Sequence, residues 1–408
     1  MKPPPLAIRA LNQIGFILQK IGLDPTRIEP EILETVAKKT TLLSDFGGDD
    51  YREGLEVLCN SALNDARLSF FGKMAFRRMV VQSLVTRLQL IQKVRSNPQI
   101  FSAALQSPII VLGLPRSGTT FLHRLLSLDP ASRALKLWEV VRPIQGKGKD
   151  KRRAQVKKDL KWLKRMAPDI DAKHFLDADA PEECLFLLNS SFKSLAFWVG
   201  QPVYSYLEWL RDQDLHQAYQ LYSQHLKIFQ SQTPDQRLVL KSPVHTGYLN
   251  ELTAAIPNAR IVFTHRDPIA VNASVNSLFR SLFQIVSNEL DVFQMSRANL
   301  EMLTTAAERA VEARCNMSKG SYVDIQYPDL VSDPIGSVRK IYAHFELPLE
   351  ADFLEHLKHY IAHRPQHHFG IHRYSLKEFG ISEPEVHRRF SDYCQIAQPD
   401  TKSAQTIG

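Results

Sequence analysis

The chain has 408 residues, with 51 Lys and Arg against 43 Asp and Glu, giving a formal charge of +8. Its 44% hydrophobic and 23% charged fractions are those of an ordinary globular chain, which excludes collagen-like, disordered and polytopic membrane classes. No apolar run reaches the ~18 residues that a transmembrane segment needs. After Pro3–Pro5, the segment LAIRALNQIGFILQKIG is broken by Arg9, Gln13, Gln19 and Lys20, so it reads as an amphipathic helix and not a signal peptide. Residues 50–71 and 73–96 carry apolar positions at helical spacing (Leu55, Leu58, Cys59, Leu63; Met79, Val80, Leu84, Leu88, Ile91), with Asn97-Pro98 as a stop. Residues 1–104 are thus expected to be a helical region that packs and does no chemistry.

The pattern then changes. Short apolar runs at 108–113, 237–240, 260–264 and 321–325 are each followed by a helical stretch, which predicts parallel strands covered by helices on both faces. The expected α/β domain spans 105–392. Within it, 147–165 (KGKDKRRAQVKKDLKWLKR) holds ten Lys or Arg against Asp150 and Asp159, so this one stretch accounts for the whole charge excess. It reads either as a solvated helix face or as a patch for an anionic partner. Residues 286–318 read as one long helix or two, a short helix is expected near 384–392, and 393–408 reads as a flexible tail. Cys59, Cys184, Cys315 and Cys394 are far apart and form no CxxC, which points away from a disulfide framework or zinc site and toward a reducing, cytoplasmic setting.

The chemistry is concentrated in VLGLPRSGTTF, 111–121. A buried strand runs into a Gly/Ser/Thr loop that opens a helix. Backbone N–H groups and the helix dipole favour an anion there. Gly113 and Gly118 permit a tight turn, and Thr119 and Thr120 add hydroxyl donors. The glycine spacing is that of the nucleotide loop GxxxxGK[ST], but Thr119 stands where Lys belongs, and the cation has moved to Arg116. A second segment, IVFTHRDPIAVNAS (261–274), ends a strand at Arg266, where open α/β sheets bind ligands, with Ser274 about two turns further on. Arginine pairs readily with phosphate. The two segments together suggest a nucleotide carrying phosphates at two places.

On these residues the chain resembles the sulfotransferases that use 3′-phosphoadenosine-5′-phosphosulfate (PAPS). LPRSGTTFLHRLL resembles their 5′-phosphosulfate loop, RDPIAVNAS their 3′-phosphate motif, and IQYPDLVSDP, with Tyr327, their Tyr-x-x-Leu segment. The resemblance runs from about 105 to 392 and implies a P-loop-type parallel sheet flanked by helices, with the helical N-terminal region outside it. It implies that Arg116, Ser117, Gly118, Thr119, Thr120, Phe121, Arg266, Ser274 and Tyr327 bind PAPS, and later its product adenosine 3′,5′-bisphosphate. Arg116 and Lys241 would stabilise charge at the leaving phosphosulfate. No metal is called for. Phe121 replaces the Trp that many members stack on adenine, and Pro243 occupies the place of the catalytic His of the cytosolic branch.

The general base is therefore open. In-line attack by a hydroxyl, or an amine, needs a base within hydrogen-bond reach. Several members with an Arg-containing loop use a Glu after the first helix, which makes Glu139 of Leu137-Trp138-Glu139 the first candidate. His245 is the second. Glu182 and Glu183, where Asp179 and Pro181 suggest a helix start, are the third. The tail segment His367–Tyr374 fits no zinc spacing and reads as a lid, with Arg373 as a phosphate contact, or as a solvated tail. The acceptor is expected to be a small molecule or a glycan or lipid hydroxyl, with no nucleic-acid partner. The rival readings are a P-loop nucleotide kinase or NTPase and a non-enzymatic anion-binding protein.

Overall fold

Five short strands order the part of the chain that matters for chemistry. The computed structural model describes residues 6–146, 148–166, 176–363 and 375–397. They form two units, neither continuous in sequence. One comprises the described residues up to Gln106, with Ala134–Gln236 and Leu278–Met295. The other comprises Ser107–Arg133, Arg237–Ser277 and the described residues from Ser296 onward.

The second unit is built on a sheet of β1 (Ile109–Gly113), β2 (Ser132–Ala134), β3 (Arg237–Lys241), β4 (Arg260–His265) and β5 (Tyr322–Gln326), in the order β2-β3-β1-β4-β5. β1 pairs in parallel with β3 and β4, and β4 with β5, with Ile110 opposite Leu240 and Ile261, and Phe263 opposite Asp324. This is the α/β fold predicted from the apolar runs. Every residue of β1 is buried, as a central parallel strand requires. On one face, Leu122 and Leu125 of helix Thr119–Leu126 pack with Val338, Ile341, Phe353 and Leu357. β2 was not anticipated: three residues, Ser-Arg-Ala, carry no apolar run, and their edge position needs none.

The first unit is helical. Its helices include Leu6–Lys20, Pro30–Thr41, Arg52–Asn64, Phe70–Ser96, Arg152–Met166 and His216–Gln232. The helix expected over 50–71 stops at Asn64, and Arg67 just beyond takes a left-handed φ of 45° that no helix continues through. The next helix starts at Phe70 because the Ser69 hydroxyl accepts from the Gly72 N–H, an N-cap. The packing of this region includes a buried charge. Arg87 is fully buried, donating to the Phe46 and Ser190 carbonyls at 2.8 and 3.1 Å and to Asp50 at 2.5 Å, with its guanidinium 4.7 Å over Tyr51. Phe192, Phe197, Trp198 and Tyr206 are also fully buried core aromatics, with the Phe197 ring against those of Phe192 and Tyr206.

Two further boundaries differ from the sequence reading. Residues 286–318 contain one helix, Val292–Cys315, preceded by Pro268–Val286. Near the end, two helices, Glu383–Arg389 and Ser391–Ala397, follow each other, and position 393 falls inside the second, where Tyr393 is buried. No helix among the described residues is long and apolar enough to cross a membrane.

Candidate active site

The site is assembled at the carboxyl ends of β1, β3 and β4, where open α/β sheets bind ligands. At the end of β1, Gly113 has φ 136°, and its N–H donates to the Thr246 hydroxyl at 2.9 Å. A Cβ at this position would lie 2.2 Å from the Thr264 carbonyl oxygen, so no larger residue fits. Arg116 follows with φ 66°, in the left-handed region that costs a branched-out side chain on the order of 1–3 kcal/mol. Ser117 turns inward: its buried hydroxyl donates to the Leu114 carbonyl at 2.5 Å and lies 2.6 Å from the Thr264 hydroxyl. Its contribution to an anion is thus confined to its backbone N–H. Gly118, φ 93°, caps helix Thr119–Leu126, whose first-turn N–H groups have no carbonyl four residues back within the helix.

The cations converge on this loop. The Arg116 Nε donates to the Ser274 hydroxyl at 3.1 Å, and Arg266 Nη1 donates to the Arg116 carbonyl at 2.8 Å. Arg266 also lies 4.3 Å over the ring of Tyr327, and Tyr327 packs against Gly118. The buried Lys241, at the end of β3, brings its Nζ 3.3 Å from the Thr120 hydroxyl. Arg116, Thr120, Lys241, Arg266, Ser274 and Tyr327 therefore belong to one connected constellation. Phe121 is partly buried and packs on the apolar cluster beneath the sheet.

The base candidates are distributed differently. His245 lies in the turn Pro243–Gly247, which holds β1 through Thr246, and is fully buried. Burial pulls its imidazolium pKa down to about 3, so the ring is neutral at any working pH. Glu139 belongs to the helical unit, at the third position of the short helix Leu137–Val141; it is buried, and its Oε2 accepts from the Lys136 N–H at 2.9 Å. The expected helix start at Asp179 and Pro181 is instead a turn, with the Ala180 N–H donating to the Asp177 carbonyl, followed by an extended stretch: Pro181 bridges to Lys136, Glu182 N–H donates to the Leu135 carbonyl, and a 3-10 helix begins only at Cys184. Asp179 is held by Arg153 at 2.6 Å and Lys157 at 2.8 Å. Hydrogen bonds from these two cations hold its carboxyl well below the usual range.

Residues 367–374, with His367, His368, His372 and Arg373, lie outside the described residues. Among the described residues no group of three or more His, Cys, Asp or Glu is arranged to hold a metal. The sequence reading also missed the support behind the second motif. His265 Nε2 is 2.7 Å from Asp324 Oδ1, Arg314 donates to both Asp324 oxygens at 2.6 and 2.8 Å, and His265 Nδ1 lies 3.1 Å from the Tyr393 hydroxyl. Burial alone would raise the Asp324 carboxyl, but the His265 and Arg314 hydrogen bonds outweigh it and hold the pKa at about 2. A signal was present in the sequence: His265 ends β4 just after its apolar run, and an imidazole buried there needs a partner.

With the geometry in hand, comparison with known proteins is informative. The sequence model of the Sulfotransferase family matches residues 108–351. The omega-hydroxy-beta-dihydromenaquinone-9 sulfotransferase Stf3 of Mycobacterium bovis is 24% identical over 290 residues, covering 67% of this chain and 71% of the relative. Among solved structures, the sulfotransferase STF1 of Mycobacterium tuberculosis is 31% identical with a TM-score of 0.78, covering 89% of this chain and 98% of the other. The sulfotransferase STF9 of Mycobacterium avium is 27% identical with a TM-score of 0.83, covering 91% and 97%.

Proposed function

The chain belongs to the sulfotransferase family, and from that premise we propose that it transfers a sulfuryl group from PAPS to the hydroxyl of a small-molecule or lipid acceptor. The observation that carries the donor assignment is the linkage Arg266–Arg116–Ser274, which joins a second cation to the anion-binding loop. One cation site would be enough for a single phosphate. PAPS supplies an activated sulfuryl group: the acceptor oxygen bonds to sulfur, the S–O bond to the 5′-phosphate breaks, and the acceptor proton leaves to a base.

The loop N–H groups and the Thr119 and Thr120 hydroxyls would bind the 5′ group. Arg116 and Lys241 would stabilise the charge that develops on the departing phosphate, the type of fixed electrostatic help that acts most in the transition state. Lys241 is held for this by burial and by Thr120. Arg266 and Ser274 would take the 3′-phosphate, with Phe121 and Tyr327 near the nucleoside. Glu139 is the proposed base. Its cap to Lys136 fixes its rotamer. His245 suits the task less well, because a fully buried neutral ring reaches an acceptor only after rearrangement.

The missing Lys at 119 argues against a nucleotide kinase, and family membership argues against a purely anion-binding role. A lipid acceptor is suggested by the name of the Mycobacterium bovis relative. The test is to incubate the protein with sulfur-labelled PAPS and a panel of alcohols that includes an omega-hydroxylated menaquinone. Label transferred to an alcohol, with release of adenosine 3′,5′-bisphosphate, is the expected result. Phosphoryl transfer from ATP with no sulfuryl transfer to any acceptor would overturn the reading.

A further inference from the structure

Helix Leu6–Lys20 is apolar on two sides. Its inner face is accounted for: Ile8 is buried, Asn12 Oδ1 accepts from the Phe71 N–H at 3.0 Å, and Gly15 sits so close to Phe70 that a Cβ would fall 2.1 Å from the ring. The opposite side carries Leu6, Ala10, Ile14 and Ile17, continued by Ile21 one turn on. These positions recur at steps of three and four, so they form one stripe. Leu6, Ile14, Ile17 and Ile21 are between 52% and 75% exposed, and Phe16 beside them is 59% exposed. A helix that needed only to pack on its own unit would carry polar residues there.

The same unit packs a basic helix against the helix that carries this stripe. Helix Leu6–Lys20 touches helix Arg152–Met166. Trp162 of the latter stacks on Phe71 at 5.3 Å, next to the Asn12 and Gly15 contacts, yet keeps 41% of its surface exposed. Lys158, Lys161 and Arg165 are exposed. The acid that interrupts the run, Asp159, is committed to Arg78 and Arg142, and does not neutralise them. A cavity of about 460 Å³ is walled by Lys157, Lys161, Lys164 and Arg165 with Leu160 and Asp177. Exposed aliphatic stripe, half-exposed Trp, outward lysines and a cation-walled recess thus share one unit.

We propose that this face docks the protein on an anionic lipid bilayer, with the Leu6–Ile21 stripe entering the acyl boundary and the Arg152–Met166 helix meeting the headgroups. Apolar residues beside Lys and Arg, with Trp between them, are the composition of a helix lying in a membrane interface. Charge complementarity selects this occupant over a second copy of the chain. In a twofold contact the patch meets its own composition, so its excess of cations meets no matching excess of anions. A bilayer rich in acidic lipids meets the stripe and the cations at once. The inference concerns the helical unit alone and stands whether or not PAPS is the donor.

The experiment is flotation of the full chain with vesicles of phosphatidylcholine alone and of phosphatidylcholine with phosphatidylglycerol. The parent is expected to float with the acidic vesicles, less so as salt rises, and not with the neutral ones. Two variants at exposed positions, Ile14→Asp/Ile17→Asp and Lys158→Glu/Lys161→Glu, are each expected to weaken binding by at least about tenfold. Both should keep the parental melting temperature and nucleotide affinity, which separates this outcome from misfolding or loss of the donor site. Absence of binding to acidic vesicles, or binding unchanged in both variants, overturns the proposal. So does a parental dimer that Ile14→Asp/Ile17→Asp dissociates without any vesicle binding, because the stripe would then join two copies.

Discussion

Arg266→Ala separates two roles of one side chain, one seen in the structure and one proposed. Arg266 donates to the Arg116 carbonyl and lies over Tyr327, so it supports the loop. In the proposed complex it also pairs with the 3′-phosphate. A hydrogen bond to a charged group contributes about 1.5–3 kcal/mol, so losing the phosphate contact should weaken adenosine 3′,5′-bisphosphate by about 10- to 150-fold. Loosening the loop removes a charge-assisted bond to the Arg116 carbonyl, and whatever this costs falls equally on ADP, which has no 3′-phosphate. Calorimetric titration of both nucleotides on parent and variant reads the difference directly. Arg266→Lys should fall between, because an ammonium keeps the charge and loses the fork. Equal losses for the two nucleotides would refute the 3′-phosphate assignment and leave Arg266 as a support for Arg116 only.

Lys241→Met keeps the volume and removes the charge beside Thr120, so kcat should fall about 100- to 1,000-fold with a much smaller change in product affinity; a parental kcat would remove Lys241 from the transition state. Glu139→Gln still accepts from the Lys136 N–H, so it should fold normally and bind nucleotide while turnover falls about 100-fold or more; transfer at the parental rate would rule Glu139 out as base. Gly113→Ala drives a Cβ into the Thr264 carbonyl at a φ of 136°, and thermal unfolding should show a loss of about 2–4 kcal/mol; an unchanged melting temperature would contradict the geometry. The folded-state pKa of Asp324 is depressed to about 2, so its stabilisation is full above the unfolded carboxylate value and fades as pH falls toward 2. The stability gap between parent and Asp324→Asn should therefore be widest above about pH 4 and close below it; a gap independent of pH would show that the ion pair is not its source.

The glycine-containing loop after β1 and four strands could be read from sequence because their signals are local. Ile109–Leu112 is an unbroken aliphatic run, and Gly113, Gly118 and Arg116 follow at fixed spacing. What escaped depends on residues distant in the chain. Ser117 looks like a ligand-facing hydroxyl until Thr264, on another strand, is placed beside it. Arg87 reads as a solvated helix residue because its acceptors are the Phe46 and Ser190 carbonyls and Asp50, none of them at helical spacing. The His265–Asp324–Arg314–Tyr393 network joins β4, β5 and two helices, and only the register of the parallel strands brings them together. Glu139 remained ambiguous because capping and proton transfer call for the same side chain.

The interleaving of the two units has a consequence for synthesis on the ribosome. β1 emerges early, but β4 and β5, which complete its side of the sheet, follow only at Arg260–His265 and Tyr322–Gln326. At ~5–20 residues per second, the edge of the aliphatic strand waits on the order of 8–30 s for β4, its last neighbour. The helical unit cannot close earlier than Leu278–Met295 either. Neither unit can therefore fold outright from a nascent N-terminal fragment, and the growing chain holds an unpaired hydrophobic strand until β3 and β4 have been made. Such a chain is a natural client for holding chaperones, and dividing it for expression at any single point would leave both halves incomplete.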